Sequence, residues 1–282
     1  MKRASLIALI GLTSACSAFA QVSLSLAGPP GPVNVRDPSL VHGGKAGYYD
    51  SYGFNLAQKG DYEGAKRCYT VAIRIDPYRW TAYYNRSLVY AHQKNWVAAL
   101  QDLNSAIHNK PSFFLASFHR ALINERLGNY NDSLRDLDIL TNLSARAGNY
   151  TEHAMALNNR AWIRAVCPDA SVRNGQLAVA DAKKACEFTK WKVANCVGTL
   201  AAAYAETGDF DSAIRYQEQA ITLKKAEPEE ISKKMAEYHL KKERAEKISI
   251  EMAKEAKEYG PRFAQRLELY KAHRPYHGTG EL

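Results

Sequence analysis

GDYEGAKRCYTVAIRIDP, residues 60–77, sets the plan of this chain. An aromatic follows a glycine-containing turn, Ala65 and Ala72 are small, and a proline closes the segment. The same features return further along. Tyr62, Trp96 and Tyr130 are spaced 34 apart, and so are Gly53, Ser87 and Ala121. Ala65, Ala99 and Ser133 keep the register, as do Ala72, Ala106 and Leu140. Pro77 and Pro111 close the first two periods. Each period reads helix, short turn, helix. Small residues belong where two helices cross closely, because a larger side chain would push the axes apart. The aromatic after each turn fills the wedge between helices. A fixed period of this length marks stacked supersecondary units.

Two further units follow. Ala161 continues the first small position, and Ala178, Ala182 and Ala185 continue the second helix. TLAAAYAETGDFDSAIRYQEQAI, residues 199–221, is the fifth unit. The fourth is stretched: Ala161 to Ala178 is 17 residues, against 12 from Gly53 to Ala65. The excess falls in CPDASVRNG, 167–175, where Pro168 stops a helix, Asp169 and Ser171 can cap, and Gly175 permits a tight backbone. Ala121 to Ala161 is 40 residues, so one of the two intervening helices should be longer by about a turn and a half.

These positions together resemble the tetratricopeptide repeat (TPR) family, over about residues 46–223. The resemblance implies an all-α, right-handed superhelical solenoid of about five helix-turn-helix units with a long C-terminal capping helix. CPD with KKACE and TLAAAYAE, and more weakly the closing LELYKAHRPY, are similar to segments of some bacterial TPR proteins. The expected organisation is a signal peptide at 1–20, a Pro/Gly-rich linker at 21–44, the solenoid at 45–225, a helical cap at 226–272 and a polar tail at 273–282.

Lys2 and Arg3, then LIALIGL, then Ala18-Phe19-Ala20 follow the order of a cleavable export signal. Export to the periplasm or the exterior is the expectation. The alternative is a membrane-anchored envelope assembly lipoprotein, lipidated at Cys16. No apolar run is long enough to span a bilayer. Net charge is +9, but from Lys224 onward 14 Lys/Arg interleave with 11 Asp/Glu. A nucleic-acid surface concentrates its positive charge on one face, so no nucleic-acid partner is expected.

An internal check supports the register. Arg86, Arg120 and Arg160 are equivalent in units two to four, and Asp102, Asp136 and Asp181 are equivalent in the second helices of the same units. Units one and five lack both members. Arginine and aspartate are therefore expected to pair structurally, since a half-buried charge without its partner is costly.

Four cysteines lie beyond the signal: Cys68, Cys167, Cys186 and Cys196. Export permits disulfides, and Cys186 with Cys196, across one antiparallel turn, is the favoured pair. Cys167 is the one residue an enzyme could use, but a thiolate needs a base or a cation, and no histidine lies between His153 and His239. H-E-x-x-H, G-x-S-x-G and phosphate-loop patterns are absent. His273 and His277 lack acidic or cysteine neighbours. No catalytic residue, metal or cofactor is expected.

The expected function is a non-catalytic protein–protein interaction scaffold in the cell envelope. The family's concave face is lined by the first helices, which implies a groove of Phe54, Tyr84, Asn85, Leu88, Phe118, His119, Leu122, Arg126, Asn158, Asn159 and Trp162 for a peptide or protein ligand. The structural alternative is that Tyr84, Phe118 and Trp162 pack between neighbouring first helices. The family's chaperone-tail groove uses Lys, Arg and Asn. Here its positions hold Asp50, Phe54, Asn85, Leu115 and His119, so only Asn85 matches, which argues against that ligand. Residues 229–259 read as one long helix with a thin apolar stripe, which is a cap or a homodimer contact.

Overall fold

The computed structural model describes residues 43–237 and 260–278. The expected signal, residues 21–42 of the linker, residues 238–259 of the long helix and the last four residues of the tail lie outside them. The described residues are helical, with no strand among them. Helices α1 (Gly43–Gln58) and α2 (Tyr62–Ile75) form the first hairpin, α3 (Trp80–His92) and α4 (Trp96–Asn109) the second. Then come α5 (Phe114–Arg126), α6 (Tyr130–Ala147), α7 (Tyr150–Val166), α8 (Gly175–Phe188), α9 (Ala194–Glu206) and α10 (Phe210–Glu237). A last helix, α11, covers 260–271. The chain divides after Ile123, inside α5, into two compact units.

The period is visible in the turns. Gly60, Lys94, Gly128 and Gly208 all have positive φ, at 86°, 58°, 81° and 83°. After Gly60, Lys94 and Gly208 the side chain of the next residue caps the following helix. Asp61 Oδ1 accepts the Gly64 N–H at 2.8 Å, Asn95 Oδ1 that of Ala98 at 3.2 Å, and Asp209 Oδ1 that of Ser212 at 3.0 Å. Each cap satisfies a donor that the first helical turn leaves without an intrahelical partner.

In the unit up to Ile123, α1 packs on α2, α2 on α3 and α3 on α4. Ala65, Ala72, Ala99 and Ala106 are fully buried at the crossings. The approach at Gly53 is tightest, because a Cβ there would meet Tyr69 Cε1 at 2.9 Å and the Ala65 carbonyl oxygen at 3.1 Å. Phe54, Tyr69, Tyr84, Leu88 and Leu103 fill the core around these small residues.

The unit from Asn124 onward is built on longer helices. α6 has 18 residues and α7 has 17, against 14 in α2 and 13 in α3. Both of the helices between Ala121 and Ala161 are thus lengthened, not one. Gly148 ends α6 in the left-handed conformation, φ 65°. The stretched turn is real: Cys167 to Asn174 separates α7 from α8. Asp169 Oδ1 accepts from the Ser171 N–H and hydroxyl, and Asn174 Oδ1 caps α8 through the Leu177 N–H. Arg173 straps the turn, donating to the Cys167 carbonyl at 2.7 Å and to Glu206 Oε1 of α9 at 2.9 Å.

Two expected boundaries shift. The first helix begins at Gly43, inside the expected linker, and α10 runs unbroken across the boundary placed between solenoid and cap at residue 225. The short helix 260–271 folds back onto its own unit. Gln217 Nε2 donates to the Phe263 carbonyl at 2.8 Å, and the Phe263 ring lies against Gly198 of α9. Tyr270 is fully buried in a cluster with Trp162, Val166, Ala201 and Ala213.

Candidate functional site

The first helices carry the residues expected to line a groove, and the fold divides them. Phe54, Tyr84, Leu88, Phe118, His119, Asn158 and Trp162 are buried. Asn85, Leu122, Arg126 and Asn159 keep part of their surface in solvent. The aromatic members serve as packing. Tyr84 meets Phe113 edge-on at 4.9 Å and stacks with His119 at 5.6 Å, and Phe118 stacks on Phe114 at 5.6 Å. Burial pulls the His119 pKa down to about 4, so its imidazole is neutral near pH 7. Trp162 is covered from within its unit: Tyr276 lies 6.1 Å away and the Arg266 guanidinium 5.2 Å above the ring. The groove read from the sequence therefore reduces to a few part-exposed positions in each unit.

In the first unit Asn85 sits in a small polar network. Asp50, buried on α1, accepts from Asn85 Nδ2 at 3.1 Å and from Arg79 Nε at 2.9 Å, and also from the Thr81 hydroxyl. Asp50 stands where the family's chaperone-tail groove places lysine, so this wall is acidic and already engaged. In the second unit Asn159 Nδ2 donates to the Met155 carbonyl one turn back, at 2.9 Å.

The arginine–aspartate positions hold the most closely bonded charges. Arg86 meets Asp102 through two parallel bonds of 2.8 Å, with Thr70 Oγ1 taking a third at 2.9 Å. Burial pushes the Asp102 carboxyl up, against the pull of Arg86, while the hydrogen bonds to Asp102 raise the arginine. Bidentate geometry keeps both groups charged. Arg160 meets Asp181 at 2.8 and 2.7 Å and also reaches Asp138 of α6 at 2.8 Å; Arg164 shares Asp181 at 2.8 Å. Arg120 donates to Asn104 Oδ1 at 2.8 Å.

One cysteine expectation, the Cys186–Cys196 bridge, is corrected. Cys186 and Cys196 are free thiols, as are Cys68 and Cys167. Burial pushes the Cys186 thiol up strongly and Cys196 up to about 12. Cys167 is buried as the C-cap of α7, and burial raises its thiol too, which is opposite to what a nucleophile requires. The two tail histidines diverge. His273 stacks on Phe210 at 5.0 Å and His277 Nε2 contacts Glu206 Oε2 at 2.7 Å. Among the described residues no group of three or more His, Cys, Asp or Glu could hold a metal, and no helix is long and apolar enough to cross a membrane.

Sequence reasoning missed Arg79, Glu206, the bonds of Asp50 and Arg173, and the contacts of Arg266 and Tyr276. Asp50 was legible as an acid where the family's groove has lysine. The contacts of the C-terminal segment depend on tertiary folding-back that no local pattern encodes.

Antiparallel hairpins stacked at a repeating interval define an all-α helical repeat protein. A tetratricopeptide repeat model matches residues 55–112 and a second matches 194–227. MamA from Desulfovibrio magneticus RS-1 superimposes with a TM-score of 0.52 at 16% identity, covering 66% of this chain and 98% of that one. A tetratricopeptide repeat protein from Parabacteroides merdae ATCC 43184 gives 0.54 at 16% identity, over 81% and 97%. Tetratricopeptide repeat protein 6 of Homo sapiens is 33% identical over 87 residues, which is 30% of this chain and 16% of that protein. The mitochondrial import receptor subunit TOM70 of Rattus norvegicus is 34% identical over 83 residues, or 28% and 14%. The matched stretch is thus a small fraction of the length of these last two proteins. Residues 55–112 and 194–227 are thus tetratricopeptide repeats, and the fold class is the all-α tetratricopeptide solenoid.

Proposed function

We propose that this chain is a non-catalytic scaffold that is exported and binds a peptide or protein segment along the first helices of its hairpins. The observation that carries this reading is the state of the part-exposed asparagines. Asn85 and Asn159 each commit the amide N–H₂ to the fold and keep the carbonyl for a partner. An exposed peptide backbone offers the N–H donors such carbonyls accept. The buried aromatics behind them hold the helices in place, and the raised Cys167 thiol supports the non-catalytic reading.

The test is to change Asn85, Arg126 and Asn159 together to Ala. Binding of a captured partner should weaken at least tenfold, about 1.4 kcal/mol, with little movement of the melting temperature. Unchanged affinity in the triple variant, with loss on removal of 229–259, would transfer docking to the C-terminal helix. Export rests on residues 1–20: N-terminal sequencing of the secreted form should begin at Gln21, and a lipidated Cys16 would make the anchored alternative correct.

A further inference from the structure

Arg266 is the outlying charge of the second unit. It is 3% exposed, and its guanidinium is held between two rings, 4.5 Å from Phe263 and 5.2 Å from Trp162. Every other buried arginine described above reaches a carboxylate or an amide oxygen. Arg266 makes no hydrogen bond or ion pair among the described residues, and its Nε is buried and unsatisfied. Two more donors in the same cluster are in the same condition: the Trp162 indole N–H and the Tyr270 hydroxyl, one helical turn beyond Arg266. Burial pulls the Arg266 pKa below the ordinary guanidinium value, and Arg262 pulls it the same way.

Aromatic faces attract a cation, but they do not accept the in-plane N–H groups of its edge. A buried cation without a counter-charge is strongly disfavoured, and the Arg266 Nε, the Trp162 indole N–H and the Tyr270 hydroxyl of this cluster each lack an acceptor that an oxyanion supplies. We propose that Arg266, with the Trp162 indole and the Tyr270 hydroxyl, is a binding site for a carboxylate-bearing ligand from outside the described chain. The planar guanidinium fork matches two carboxylate oxygens. A monoanion neutralises the single charge of Arg266, whereas a phosphate dianion would leave an excess negative charge buried. The ligand is either a free small carboxylate or an acidic side chain of a bound peptide, with the same chemistry at the arginine.

The whole protein is titrated with sodium acetate against chloride at constant ionic strength. The wild type should gain about 4 °C in melting temperature at ten times the dissociation constant, and Arg266→Met should gain nothing. Without acetate, Arg266→Met should melt no lower than the wild type, because it removes an uncompensated buried charge. A second readout needs no variant at Arg266. In ¹⁵N spectra the indole resonance assigned by Trp162→Phe should shift with acetate, while those of Trp80, Trp96 and Trp191 stay in place. Acetyl-Glu-amide, with acetyl-Gln-amide as control, separates the sources: tighter binding than acetate assigns the carboxylate to a peptide, weaker binding to a small molecule. A wild type indifferent to acetate, an equal response in Arg266→Met, or an unmoved Trp162 resonance would overturn the proposal.

Discussion

The two units hold their equivalent arginines in different company. Arg86 has one carboxylate, Asp102, and the two are bonded to each other alone apart from a hydroxyl. Arg160 shares two carboxylates, Asp181 and Asp138, with a second arginine. Both arginines are largely buried, with side chains 16% and 15% exposed. The same repeat position can therefore be a pair with no replacement for either member, or a network in which one loss is partly covered.

The largest expected effect tests that difference. Arg86→Met leaves Asp102 buried without its cation and should lower unfolding stability by about 4 kcal/mol. Arg160→Met leaves Asp181 with Arg164, so the loss should be only about 1–2 kcal/mol. Urea midpoints of the two variants decide. If Arg160→Met is as damaging as Arg86→Met, Arg164 does not substitute and the network is not redundant.

Next in size is a contrast along α5, where one buried group titrates in each unit. Burial lowers His119 from an ordinary 6.5 to about 4. Its contribution is complete above about 6.5 and is lost as pH falls toward 4, because the unfolded chain binds the proton first. Glu125 runs the other way. Burial raises it from an ordinary 4.5 to about 7, so its contribution is complete below 4.5 and is lost as pH rises through 7. Each is on the order of 3 kcal/mol. The two slopes oppose each other over nearly the same pH range, so His119→Gln should leave a net fall in stability as pH rises from 4.5 to 7, and Glu125→Gln a net rise from 4 to 6.5. Exchange of those two effects, or no effect, would mean that the groups are not buried as described.

Smaller still is the effect at the helix crossings. Gly53→Ala places a methyl against Tyr69 and the Ala65 carbonyl, and should lower stability by about 2 kcal/mol. Ser87→Ala, at the equivalent position of the next hairpin, adds no bulk and loses one buried hydrogen bond to the Tyr84 carbonyl, so it should cost only about 1 kcal/mol. The smallest is a gain. Lys94 occupies, at φ 58°, the turn position filled by Gly60 and Gly128 in the flanking hairpins. Lys94→Gly should add about 1 kcal/mol by removing the left-handed strain of a side-chain-bearing residue. Thermal melts of both sets measure these differences.

The hairpins were legible because a repeat writes the same packing requirement several times. A small residue at 65 and again at 99 has one physical reason, close crossing of two helices. The Arg86–Asp102 and Arg160–Asp181 contacts were readable for the same cause, since charge partners recur together. Asp138 and Arg164 escaped notice because they occur in one unit only. The candidate groove was less legible. Helical spacing places Tyr84, Phe118 and Trp162 on the first helices, but it does not say whether a neighbouring helix or a ligand covers them. Trp162 is covered by Arg266 and Tyr276, about a hundred residues away in sequence, and no local pattern announces that contact. The proposed Cys186–Cys196 bridge failed for a related reason: a short loop brings two helix ends together without deciding whether their sulfurs bond.

The central claim is that a partner lies along the first helices, and site-specific photo-crosslinking tests it most directly. A benzoylphenylalanine at position 85 or 159 should trap a partner in the native compartment. The same group at exposed position 142, on the second helix α6, should not. Crosslinks at 142 with none at 85 or 159 would place the partner on the opposite helices and contradict the account.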